Sequence, residues 1–408
     1  MQSRRVIGVS LPLSMSDGVS EEPRYRGPAF FSMGFRPFFL SAALFAGVAI
    51  PAWIAMLAGA QAVNGLYPPR VWHIHEMVFG FVPAVIMGFM LTAIPNWTDR
   101  PPIRGVELAG LWSLWLAGRL AIAVPGLAPS VSAMIDCAFL AVAAGLIWRE
   151  IASAKSWKHV PMGVLVSLYA LANMLFHVLM LNEQAVDLPP RIGLGVILVL
   201  LTVIGGRIIP NFTEEFFEMR GRPERPAEFS RYDAASILLV VFSVITWMVQ
   251  PWGMVTGCVF LLAGVVNAGR VIRWRGWLTW AEPLVLVLHV GYSWVVAALL
   301  LFGGALLGVG LSPADALHAL TTGAIGVMTL GVMTRASLGH TGRERHAGPL
   351  TVAIYIMVFL GALIRVFGPA TGLTSHLVMG LAAVSWSGAY LLFAFSYGPI
   401  LLRPSLDE

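Results

Sequence analysis

The sequence predicts an all-α, polytopic membrane bundle of twelve transmembrane helices with both termini in the cytoplasm. Three observations carry this expectation. First, only 12% of the 408 residues are charged and 58% are hydrophobic, against about 25% charged in an average soluble domain. Such a chain cannot cover a water-facing surface with charge. An ordinary soluble globular protein and a disordered chain are thereby excluded. Second, apolar runs of about 20 residues recur along the chain, enough to cross a bilayer as helix. The alternation over about ten residues that marks a membrane barrel is absent. Third, of the 26 basic residues, only Arg70, Arg191 and Arg365 fall in outer segments and only Arg119 within a span. The remainder lie in inner segments, an asymmetry that fixes an even span count and an inside N-terminus.

The runs lie at 37–58, 71–95, 105–125, 128–149, 161–181, 191–210, 232–250, 252–271, 279–302, 312–335, 349–368 and 374–397. Gln250-Pro251 is the only punctuation between the seventh and eighth. Residues 1–28 are polar and expected to form a flexible cytoplasmic tail, 29–403 a single membrane domain, and 404–408 a cytoplasmic end. Pro12 interrupts the first short apolar stretch and no small-residue cleavage site follows, unlike a signal peptide. The longest loop, 211–231, is charged and inner. The formal charge of +5 sits between apolar segments, where it sets topology, so nucleic acid is not expected as a partner. Cys137 and Cys258 lie in apolar runs, which excludes a disulfide framework and a covalent c-type haem motif.

Ionisable groups inside the hydrocarbon are costly and usually functional. Six of the nine histidines fall in spans: His73, His75, His177, His289, His318 and His376. The predicted orientation puts all six in the outer half of the membrane or at its floor, on five helices. Imidazole is the commonest ligand for iron, copper and zinc, and helix bundles build metal and haem sites from facing side chains. These histidines are therefore the candidate metal and cofactor ligands, enough for one or two haems and a histidine-ligated copper. His73 and His75 are two positions apart, hence about 200° apart around a helix, and should serve different neighbours. His376, beside Thr374 and Ser375, is the one most readily explained as a helix-start residue.

Arg119 and Asp136 flank a predicted hairpin at matching depth, so an ion pair between them is expected. It would act either as a structural clamp or in binding a haem propionate. Glu76, next to His75, would orient a ligand or carry protons. An outer-interface pairing of Glu76 with Arg70 is the simpler alternative. Glu76, Arg119 and Asp136 are thus the candidate catalytic residues.

Several motifs occur in one order: Gly34-Phe35-Arg36-Pro37-Phe38-Phe39, Trp72-His73-Ile74-His75-Glu76-Met77 with Phe79-Gly80-Phe81, Leu91 to Thr98, Gly205-Gly206-Arg207-Ile208-Ile209-Pro210, and Arg335 to Arg343. Together they resemble the NnrS family across residues 30–403. The resemblance implies a multi-pass protein of the bacterial inner membrane that contains haem and copper. It further implies a role in nitric oxide metabolism and relief of nitrosative stress, with an unidentified electron donor. Reduction of two NO to N2O and water at a histidine-held centre is the activity expected. The competing expectation is a transporter, or a copper- or haem-delivery protein without redox turnover.

Overall fold

The computed structural model describes residues 25–60 and 67–406. Most of the expected N-terminal tail, and the last two residues, lie outside this range. Among the described residues the chain is helical and no strand occurs. Twelve helices are long and apolar enough to span a membrane. We label them α1 (Phe35–Leu57), α2 (Pro69–Thr98), α3 (Val106–Ala123), α4 (Pro129–Ser153), α5 (Trp157–Leu181), α6 (Leu188–Met219), α7 (Arg231–Val249), α8 (Met254–Arg273), α9 (Pro283–Leu306), α10 (Pro313–Gly339), α11 (Pro349–Thr371) and α12 (Ser375–Leu402). The split at Gln250-Pro251 is real: α7 stops at Val249 and α8 starts at Met254.

Proline sits at or near the first position of α2, α4, α6, α9, α10 and α11. Its missing N–H is one of the orphan donors of a helix start, so it costs nothing there. Helices adjacent in sequence pack as antiparallel hairpins, and α1 closes the bundle against α12. The most buried spans are α2, α10, α9 and α6, and these form the interior. The start of α1 and the end of α12 meet on one face. Arg36, fully buried, donates to the carbonyls of Leu401 (3.1 Å) and Arg403 (2.5 Å) and to Ser405 Oγ (2.8 Å). We call this face inner and the opposite face outer, following the basic-residue distribution.

Two interior spans are not regular α-helices. In α2 the stretch Glu76–Phe81 widens into a π-helical turn, and in α10 the stretch Ala319–Ile325 does the same. Such turns leave main-chain carbonyls without their usual partners and are frequent at functional sites. Side chains from neighbouring helices take those carbonyls. Trp115 of α3 donates to Gly80 O (2.9 Å) and Tyr169 of α5 to Val78 O. For the second turn, Trp386 of α12 donates to Thr322 O (3.2 Å) and Tyr390 to Gly326 O (3.3 Å). The Phe81 ring packs edge-on against both Trp386 and Tyr390, which ties the two turns together.

Candidate metal centre

The π turn of α2 aims His75 and Glu76 into a buried polar cluster shared by α2, α3, α4 and α5. From the outer ends of their helices, His75 lies six residues in, Asp136 seven, and Arg119 and His177 four. At 1.5 Å per residue these are similar depths, about 6–11 Å below the helix ends. All are out of water: His75 is 0% exposed, Glu76 1%, Asp136 2%, His177 2% and Arg119 5%.

Arg119 is the hub. Its Nη1 donates to Glu76 Oε1 (2.5 Å) and its Nη2 to Asp136 Oδ1, so the expected ion pair forms and gains a second carboxylate. Arg70 is not the partner of Glu76. Both terminal nitrogens of Arg119 are engaged by carboxylates, as a structural clamp would have them. Two glycines make room for it. A Cβ at Gly80 would fall on Arg119 Nη1 and 3.1 Å from its Cζ, and one at Gly118 would lie 3.0 Å from Asp136 Oδ1 and 3.2 Å from its Cα. Gly80→Ala is therefore expected to displace the guanidinium and cost about 1–3 kcal/mol. Thermal unfolding in detergent checks this; an unchanged midpoint would contradict the tight fit at Gly80.

The remaining bonds fix the imidazoles. His75 Nδ1 faces Glu76 Oε1 (2.9 Å), and its Nε2 faces Asn173 Oδ1 (3.1 Å) and Asp136 Oδ2 (3.4 Å). His177 Nε2 meets Asp136 Oδ2 (2.8 Å) and its Nδ1 meets the Tyr67 hydroxyl (2.5 Å). Asn173 Nδ2 donates to Asp136 Oδ2 (2.8 Å). Burial pushes the Tyr67 phenol well above its usual range, so its hydroxyl keeps its proton. Phe79 and Phe176 pack on the His75 ring and close off the cluster.

Charge decides what this arrangement can hold. With both carboxylates ionised and both imidazoles neutral, the cluster carries one negative charge too many for a low-dielectric interior. His75 has an acceptor at each nitrogen, so a proton there cancels the excess; a metal cation would do the same. His75 Nε2, Asp136 Oδ2 and His177 Nε2 could hold one, since a ligand atom from each of these residues lies within 4.8 Å of the others. Two imidazole nitrogens and a carboxylate oxygen are a donor set for copper, iron or zinc. In that state Glu76 would still accept from His75 Nδ1–H. Tyr67 would accept from His177 Nδ1–H, the reverse of its role in the metal-free network. Such outer partners orient a metal-binding histidine and raise its basicity.

The family described as NnrS protein matches residues 29–405, nearly the whole chain. The chain belongs to the NnrS family. Among curated proteins none matches it. In this NnrS chain, the six intramembrane histidines do not gather in one place. His75 and His177 enter the cluster with Asp136. His73, on the opposite side of α2, instead stacks on Trp53 of α1, with ring centroids 4.0 Å apart and planes 19° apart. His318 of α10 bonds the Ala314 carbonyl of its own helix (2.6 Å). His289 lies apart: α9 starts at Pro283, so the ring is six residues from the inner end, bonded to Thr213 (2.8 Å) and against the inner turn at Gly276. The expected start at residue 279 had put it deeper, because Gly276–Thr279 is a separate turn. His376 is exposed at the start of α12. Asn173 and Tyr67 were missed. Asn173 is one helical turn before His177, a spacing that puts them on one face. Tyr67 had no sequence signal, since it enters from a loop.

Proposed function

We propose that this NnrS protein binds a copper ion at His75, Asp136 and His177 and reduces nitric oxide in the bacterial inner membrane, with haem as a second cofactor. The observation that supports it is the buried His–Asp–His group with its surplus negative charge and oriented rings. Membership of the NnrS family supplies the link to nitric oxide and to metal. Bound copper would supply a Lewis acid and one-electron chemistry beside the gas.

The residues do the rest. Nitric oxide is small and apolar, so the bilayer itself delivers it to a site walled by Phe79 and Phe176. Arg119 holds Glu76 and Asp136 in place, which keeps the two imidazoles aimed at one point. Conversion of two NO to N2O and water takes two protons and two electrons, the electrons coming from an external donor. Tyr67, at His177 Nδ1 (2.5 Å), and Glu76, at His75 Nδ1 (2.9 Å), lie on the ring nitrogens that a metal would leave free, and are the groups placed to hand on protons.

Metal analysis and NO consumption by the detergent-purified protein test the reading. The wild type is expected to hold copper and to form one N2O per two NO when supplied with electrons. His75→Ala and His177→Ala are each expected to lower copper affinity and turnover at least about tenfold. NO uptake without N2O, or both variants retaining copper and turnover, would overturn it.

A further inference from the structure

The seam where α1 meets α12 is not closed along its whole length. The two helices touch at Gly47, where a Cβ would fall 2.5 Å from Leu391 Cγ. They are tied again at the inner end, where Arg36 donates to the carbonyls of Leu401 (3.1 Å) and Arg403 (2.5 Å). Between these points lies a groove of about 620 Å³, lined by Leu40 and Leu44 of α1 and by Leu391, Phe395 and Arg403 in or just past α12. That volume is in the range of small-molecule sites. Gly398 carries no side chain to fill the groove, and a Cβ there would still stand 3.5 Å from Leu40 Cδ1. The groove opens on the outside of the bundle, where Phe395 is 76% exposed and Leu44 48%.

Length and charge say what fits. Leu391 and Arg403 are twelve positions apart, about 18 Å along a helix, against about 15 Å for half of the hydrocarbon core. The groove therefore runs the depth of one leaflet. Every lining residue is apolar except Arg403, which is exposed at the inner end and pairs with no carboxylate among the described residues. A cation at headgroup level, at the mouth of an apolar slot one leaflet deep, complements an acyl chain that ends in a phosphate. We propose that the groove binds one anionic phospholipid of the inner leaflet, with an acyl chain between α1 and α12 and the phosphate on Arg403. A second copy of the chain suits the face less well. A two-fold contact sets each patch against itself, so two Arg403 side chains would oppose each other across the axis. The groove lies at the other end of the bundle from His75 and Asp136. Its lipid would fasten the first span to the last without touching the metal cluster.

The test is native mass spectrometry of the detergent-purified protein, supplied with phosphatidylglycerol or with phosphatidylcholine of the same acyl chains. The wild type is expected to keep one phosphatidylglycerol per chain and to favour it about fivefold over phosphatidylcholine, the share of a single basic residue at a membrane surface. Arg403→Gln should remove that preference while leaving in place the carbonyl that accepts from Arg36. Leu44→Trp puts an indole into the groove from an exposed position and should abolish retention of both lipids. Val48→Trp, one turn further along α1 at a position 59% exposed and outside the groove, should retain lipid as the wild type does, which controls for damage to the helix. In vesicles, the wild type should unfold at a higher temperature in equal parts of the two lipids than in phosphatidylcholine alone, and Arg403→Gln should unfold at the same temperature in both. Equal retention of the two lipids by the wild type, or retention untouched by Leu44→Trp, would reduce the groove to ordinary bilayer contact and overturn the proposal. So would a dimer whose formation strips the lipid from this face.

Discussion

Arg119→Met is expected to be the most damaging single substitution in the protein. It strands Glu76 and Asp136, two carboxylates at most 2% exposed, without their shared cation. Removing one partner of a buried ion pair costs about 3–5 kcal/mol, because the charge left behind is uncompensated. Here two charges are left behind, and the proton on His75 can offset only one. We expect the variant to unfold at markedly lower temperature in detergent and to accumulate poorly in membranes. Arg119→Met combined with Asp136→Asn removes one positive and one negative charge together. The double variant should recover more than half of the loss, a coupling that a mere packing defect would not show. A single variant as stable as wild type, or a double variant no better than the single, would refute the role of Arg119 as hub.

Asp136→Asn separates folding from metal binding. The amide is nearly isosteric and can still accept from His177 Nε2–H, and Arg119 keeps its bond to Glu76. Its new NH2 group, however, then replaces Oδ1 and opposes the Arg119 Nη2 donor that now bonds that oxygen. A stability cost of about 1–3 kcal/mol is expected from that mismatch. The effect on metal should be much larger, since the only anionic ligand atom is gone while Arg119 remains. Copper affinity is expected to fall at least tenfold, and roughly a hundredfold at the upper end, with the haem spectrum intact. Copper retained at wild-type affinity in a folded variant would show that Asp136 is not a ligand.

These two predictions show what was legible in the sequence. The spans were, because about 20 apolar residues leave little choice of structure in a bilayer. The Arg119–Asp136 pair was, because its hairpin geometry depends only on counting from the turn. The divergence of His73 and His75 follows from helical period alone, and the structure sends them to separate neighbours. Depth was less secure. A few residues of error at a span boundary moved His289 from the inner end to mid-membrane on paper. The π turns at Glu76–Phe81 and Ala319–Ile325 had no local signature, since they are sustained by Trp115, Tyr169, Trp386 and Tyr390 from other helices. Those tertiary partners decide where His75 and Glu76 point, and no reading of one segment reveals them. Sequence could place five of the six histidines, all but His289, near one end of the bundle but could not say which shared a centre.

The central claim is that two imidazoles and a carboxylate grip one copper ion inside the α2–α5 cluster. Paramagnetic resonance of oxidised, copper-loaded protein tests it most directly, through the nitrogen couplings at the metal. Two equivalent imidazole nitrogens in the wild type, one after His177→Ala, and a changed oxygen environment after Asp136→Asn are the results the account predicts. A copper signal with no imidazole coupling, or one untouched by both substitutions, would contradict it.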